Sequence, residues 1–121
     1  MQPEFDKLSD EQKAVAKKHG EECITQVELG EEDVKKLKAK DFSNASQNLK
    51  CFANCFFEKV GTMKDGAVVE DVALEKLTLV VGADKAKSVL DKCKDLKGAE
   101  QCETAYKIQQ CFEEHRAELK A

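Results

Sequence analysis

The residues best placed to do chemistry in this chain are its six cysteines, Cys23, Cys51, Cys55, Cys93, Cys102 and Cys111. An even number of them in a small, charged sequence points to a disulfide framework and to an oxidising compartment. Six free thiols in a cytosolic protein are the alternative, which redox usage disfavours. The gaps also speak against zinc: they are Cys-x3-Cys and Cys-x8-Cys rather than Cys-x2-Cys pairs, and there are only two His residues. Ser, His and acidic residues occur, but no motif sets a nucleophile beside a base. The chain is therefore not read as an enzyme, and neither a cofactor nor a metal is implied.

Two of the cysteines lie in Leu49–Val60, where Leu49, Phe52, Ala53, Phe56, Phe57 and Val60 recur at steps of three and four. That spacing gives one broad apolar face on an α-helix. Helical geometry aims the Cβ vectors of Cys51 and Cys55 outward rather than at each other, so each must reach a different neighbour. Cys102 and Cys111, nine residues apart, fall on opposite sides of a later helix and cannot bond either. Several pairings remain open on these grounds.

The elements that must carry these groups are all helical in character. The chain has 121 residues, 41% hydrophobic and 36% charged, with a net charge of −4. This fits a single domain spanning residues 1–121. The acidic balance argues against nucleic acid, which needs a clustered basic face, and no apolar run approaches the ~20 residues of a membrane span. Met1-Gln2-Pro3-Glu4 reads as the start of a mature product. Ser9 to Gln12 fits a capping box opening a first helix that runs to about His19 or Cys23, with Leu8 and Val15 inward and Gly20 as a break. Glu31-Glu32-Asp33 opens a second helix through Lys40, with Val34 and Leu37 inward. Ser43 to Ser46 offers caps to the third helix, and Gly61 fits its C-terminal left-handed residue.

Lys64-Asp65-Gly66 is a turn signal. A fourth helix is expected over Glu70–Leu77, with Val72, Ala73 and Leu77 inward, followed by Leu79-Val80-Val81 as a buried connector. Gly82-Ala83-Asp84 opens a fifth helix to Cys93 carrying Ala86, Val89 and Leu90. A sixth is expected from Ala99 to about Arg116, with Ala105, Ile108, Phe112, His115 and Leu119 forming a stripe.

The full spacing, Cys23-x27-Cys51-x3-Cys55-x37-Cys93-x8-Cys102-x8-Cys111, resembles the six-cysteine pattern of the insect odorant-binding and pheromone-binding proteins at every gap. The resemblance covers the chain from about Ser9 to its end. It implies an all-α fold of about six short helices around an internal apolar cavity, stapled by three disulfides. The pairing it implies is Cys23–Cys55, Cys51–Cys102 and Cys93–Cys111. It also implies a secreted carrier of small hydrophobic ligands: odorants, pheromones, long-chain alcohols or fatty acids. In some members a longer C-terminal tail enters the cavity; here only Phe112 to Ala121 follow the last cysteine, so a tail filling the cavity is not expected.

A hollow core would also explain the cysteines physically. An empty cavity costs about 24 cal/mol per Å³, against a total stability of about 5–15 kcal/mol, and three disulfides at about 2–4 kcal/mol each can offset that. Under this reading the inward apolar residues become candidate cavity walls: Val15, Leu37, Phe52, Phe56, Val60, Met63, Val72, Leu77, Val89 and Phe112. For each, ordinary core packing is the alternative. Tyr106, the single tyrosine, and His115 are candidates for a ligand's polar group, and Arg116, the single arginine, for a carboxylate at the cavity mouth. The implied partner is a small hydrophobic molecule, with no nucleic acid and no stable membrane insertion; a membrane receptor or a homodimer is left open. The competing function is a disulfide-stapled signalling or structural protein with a filled core and a protein partner. A lipid-hydrolysing enzyme is a poorly supported third.

Overall fold

The computed structural model describes residues 9–120, with side chains described through Arg116. Among these residues there are six helices: α1 (Asp10–Gln26), α2 (Glu31–Ala39), α3 (Gln47–Val60), α4 (Glu70–Val81), α5 (Ala83–Cys93) and α6 (Gln101–Lys120). A small hairpin, β1 (Met63–Lys64) and β2 (Ala67–Val68), joins α3 to α4. All three expected disulfides are present, with Cα–Cα distances of 5.8 Å for Cys23–Cys55, 4.4 Å for Cys51–Cys102 and 5.7 Å for Cys93–Cys111.

Local chemistry sets the helix ends. At the start of α1, Gln12 N–H donates to Ser9 Oγ at 3.0 Å and Ser9 N–H donates to Gln12 Oε1 at 2.9 Å, which closes the capping box. Gly20 does not break this helix; α1 runs on to Gln26 and delivers Cys23, fully buried, to α3. A helical glycine costs only about 1 kcal/mol relative to alanine, less than the packing and covalent anchor that follow it. Leu8 lies outside the described residues. At α3, Leu49 N–H donates to Ser46 Oγ, and the same hydroxyl donates to Asp33 Oδ2 at 2.6 Å, tying α2 to the start of α3. Gly61 ends α3 at φ 83°, a left-handed position that disfavours any residue with a Cβ.

Two further expectations are corrected and one is extended. Leu79-Val80-Val81 is no connector: these residues form the last turn of α4, and all three are half-buried. The helix stops instead at Gly82, whose φ of 89° and ψ of 158° belong to a region only glycine enters readily. Lys64-Asp65-Gly66 is more than a turn, because Asp65 (φ 51°) and Gly66 (φ 81°) pair Met63 with Val68. Two positive φ values are what a tight hairpin turn requires. Finally, α6 starts at Gln101 rather than Ala99, because the Glu100 carboxylate accepts from the backbone N–H groups of Cys102 and Glu103.

Two apolar clusters result. One joins α1, α3 and α6 through Cys23, Leu49, Phe52, Ala53, Met63, Ala105 and Ile108; the other joins α4, α5 and α6 through Ala73, Leu77, Ala86, Val89, Leu90 and Cys111. Phe112 packs against both. Replacing Cys51 and Cys102 together by Ser cuts the link between α3 and α6. The expected cost is about 2–5 kcal/mol, a fall in Tm on the order of 10 °C, measured by thermal unfolding of the oxidised protein.

Candidate functional site

The apolar face of α3 does not end in solid packing. Two mostly apolar cavities, of about 310 and 520 Å³, lie against it. Both volumes fall within or near the roughly 300–1,000 Å³ of small-molecule sites. Both are partly open to solvent rather than sealed within the core.

The smaller cavity lies between α2, the loop after it, α3 and α6. Its walls are Leu37, Phe42, Leu49, Phe52, Phe56, Tyr106 and Gln109, with Lys36, Lys40, Asp41 and Glu113 at the polar side. The loop carrying Phe42 is held from several directions. Lys36 Nζ donates to the carbonyls of Ser43 (2.7 Å) and Asn44 (3.1 Å), and Asp41 accepts from the backbone and hydroxyl of Ser43. These two bonds from Ser43 hold the Asp41 carboxyl below its ordinary range. So fixed, Phe42 meets the ring of Tyr106 at 5.4 Å between centroids.

The larger cavity lies between α1, α3, α4 and α6. Val15, Ala16, Phe56, Phe57, Val60, Thr62, Ala73, Leu77, Leu79, Val80 and Phe112 form most of it, with Glu11, Gln12, Lys76, Gln109, Glu113 and Arg116 completing the wall. An aromatic row backs it: Phe52 stacks on Phe56 at 6.1 Å, Phe56 tilts against Phe57 at 6.5 Å, and Phe57 meets Phe112 edge-on at 6.0 Å. Phe56, Gln109 and Glu113 line both cavities. At this shared border Glu113 is gripped from both sides, by Lys40 Nζ at 2.9 Å and by Arg116.

Of the residues singled out from sequence, Leu37, Phe52 and Tyr106 line the smaller cavity, Val15, Val60, Leu77 and Phe112 the larger, and Phe56 both. Val15 is 49% exposed, since it stands at the open side rather than facing a core. The other four lie elsewhere. Met63 and Val89, 2% and 3% exposed, are packed in the two clusters. Val72 sits over the turn at Gly61, its Cγ1 3.6 Å from where a Cβ on that glycine would lie. His115 is half-buried beside the Cys93–Cys111 bond, the potential ligand atoms of the three lying within 4.8 Å of one another. Those sulfurs are bonded to each other, which leaves no thiolate for a metal. Arg116 reaches the larger cavity, paired with Glu113. Sequence reasoning missed Ala16, Phe42 and Gln109. Gln109 stands one turn beyond Tyr106, and that i, i+3 relation is its one sequence signal.

Tyr106 is 6% exposed, and its hydroxyl has no hydrogen-bond partner among the described residues. Burial, with the negative charges of Asp41 and Asp33 adding to it, pushes its pKa up.

An all-α, three-disulfide shell around apolar cavities defines a class: small helical binding proteins for apolar molecules. The comparisons with known proteins agree. The chain belongs to the PBP/GOBP family, which matches residues 6–115. It is similar to general odorant-binding protein 56a of Drosophila melanogaster, 56% identical over 106 residues that span 88% of this chain and 76% of that protein. Odorant-binding protein 10 of Aedes aegypti is 35% identical over 99 residues, 80% of this chain and 70% of that one. Among solved structures, the fatty acid binding protein OBP56a from the oral disk of the blowfly Phormia regina superposes with a TM-score of 0.79 at 50% identity, covering 92% of this chain and 96% of that one.

A phenol that ionises less readily when folded stabilises the fold below its unfolded pKa of about 10 and loses that contribution as pH rises beyond it. Because the chain has a single tyrosine, an ultraviolet absorbance titration reads Tyr106 alone. The expected midpoint lies above that of the urea-unfolded chain, with stability falling between the two midpoints.

Proposed function

We propose that this protein is a secreted carrier that binds small hydrophobic molecules in the cavities beside α3 and moves them through aqueous fluid without chemical change. The observation that carries the reading is the larger cavity, about 520 Å³ of mostly apolar space bordered by Phe56, Phe57, Val60, Leu77 and Phe112. Transfer of apolar surface from water is worth about 25 cal/mol per Å², so such a space is costly empty and favourable filled. Single-chain apolar ligands, including fatty acids and long-chain alcohols, are the class proposed; the blowfly relative's description as a fatty acid binding protein supports it. Secretion is supported by the three disulfides, which persist in oxidising compartments. Among the described residues no helix is long and apolar enough to cross a membrane.

The test is saturable binding of the fluorescent apolar probe N-phenyl-1-naphthylamine to the oxidised protein, its displacement by alkyl ligands, and a rise in Tm with ligand. Absence of all three sinks the reading. Ala16→Trp, which projects an indole into the larger cavity, should weaken probe binding at least tenfold while shifting Tm by only a few degrees. Equal binding by that variant would move the site away from this cavity.

A further inference from the structure

Between α2 and α3 the chain reads Asn44-Ala45-Ser46, an asparagine with a hydroxyl residue two places on and no proline between them. That triplet is the acceptor pattern for N-linked glycosylation, which falls on surface loops of secreted chains. The chain has three asparagines, and the other two do not fit: Asn48 has Lys50 and Asn54 has Phe56 at the hydroxyl position. A glycan of this type is therefore confined to one residue.

The fold presents that residue well. Asn44 is exposed and stands at φ 49°, so its side chain leaves a turn rather than a helix or strand. Asparagine tolerates the left-handed region for its own sake, and Ser46 has a separate duty as the N-cap of α3. The Asn44 amide serves neither purpose. Nearby polar side chains are tied back to the protein: Asp41 accepts from Ser43, and Asn48 Nδ2 donates to the Glu28 carbonyl. The side chain of Asn44 makes no hydrogen bond among the described residues; only its backbone carbonyl is held, by Lys36 Nζ at 3.1 Å. Asn44 borders neither cavity, so a sugar on it displaces no wall residue.

Ser46 sets the timing. Its hydroxyl, the second half of the acceptor pattern, is occupied in the folded protein by Leu49 N–H and Asp33 Oδ2. Transfer must come before α2 and α3 close on the loop. The covalent order allows this, because Cys51 waits for Cys102, 51 residues later. That separation is about 3–10 s of synthesis at roughly 5–20 residues per second.

Resting on the secreted reading above, we infer that Asn44 is an N-glycosylation site, modified as the chain enters the secretory lumen and before the loop folds. The donor is a lipid-linked diphosphate oligosaccharide. Asn44 Nδ2 bonds to the anomeric carbon of the first sugar as the bond from that carbon to the diphosphate oxygen breaks. The lipid diphosphate leaves with that electron pair, and the amide gives up one proton. The sugar then stands on the Phe42 loop beside the smaller cavity, on a segment that contributes nothing to the larger one.

The experiment secretes the full chain from insect cells behind a cleavable leader and weighs the protein from the medium. The expected mass is the polypeptide plus whole hexose and N-acetylhexosamine units, carried on the peptide that contains Asn44. Peptide N-glycosidase, which leaves aspartate behind, should bring it to the mass of the Asn44→Asp variant. Ser46→Thr should keep the glycan and Ser46→Ala should lose it. Because Ser46→Ala also removes a helix cap, Asn44→Asp is the control that leaves the cap in place. Secreted protein with Asn44 bare, or a glycan that persists in Asn44→Asp, would overturn the inference. Binding of N-phenyl-1-naphthylamine is measured on the same samples. Probe binding with Asn44 bare overturns this inference alone, and a glycan without probe binding overturns the carrier reading alone. A chain that never reaches the medium overturns the secretion on which both rest.

Discussion

The structure depends on how α3 is held. Its apolar face carries three of the chain's seven aromatic side chains, and in an ordinary helical domain that face would be pulled shut against its neighbours by burial. Here the two flanks of the helix are bonded elsewhere, Cys55 to α1 and Cys51 to α6. Covalent links at both edges limit how far the neighbouring helices can slide inward over the face between them. The space that remains forms two cavities that share Phe56, Gln109 and Glu113 as common wall.

The third disulfide acts on the other half of the molecule. Cys93–Cys111 fixes α5 to α6 and, through the α4–α5 cluster, sets the far wall of the larger cavity. Phe112, next to Cys111, touches both apolar clusters and also borders the cavity. One residue thus couples the stapled core to the binding space. On the opposite edge, Lys40, Glu113 and Arg116 join α2 to α6 by charge rather than covalently. Partly exposed pairs of this kind contribute little stability. Their contribution here is the polar border where the cavities meet.

Much of the fold was legible because it rests on local rules. The Ser9–Gln12 capping box, the left-handed Gly61, the inward Ala86, Val89 and Leu90 of α5, and the cysteine spacing each depend on a few neighbouring residues. Errors arose where a local signal had more than one structural outcome. Leu79-Val80-Val81 is equally compatible with a buried linker and a last helical turn, and the presence of Gly82 decided for the latter. Asp65-Gly66 signalled the turn that is found there, while pairing Met63 with Val68 needed chain on both sides to return in register.

By itself, the sequence determined which side chains face inward and which sulfurs have to reach beyond their own helix. Periodicity and helix geometry suffice for most of that, as the positions of Phe52, Phe56, Leu77 and Ile108 attest, although Val15, read as inward, stands half exposed. Only the tertiary structure decided whether an inward residue meets other atoms or open space. Met63 and Val89 met atoms; Leu37, Phe56 and Phe112 border space. Periodicity fixes direction around a single helix axis, whereas a cavity is a property of the offsets between several axes. Those offsets come from the disulfides, the Gly82 turn and the Phe42 loop acting together. That Tyr106 Oη and Gln109 Oε1, both without a partner among the described residues, stand on α6 at one cavity became visible only once those offsets were set.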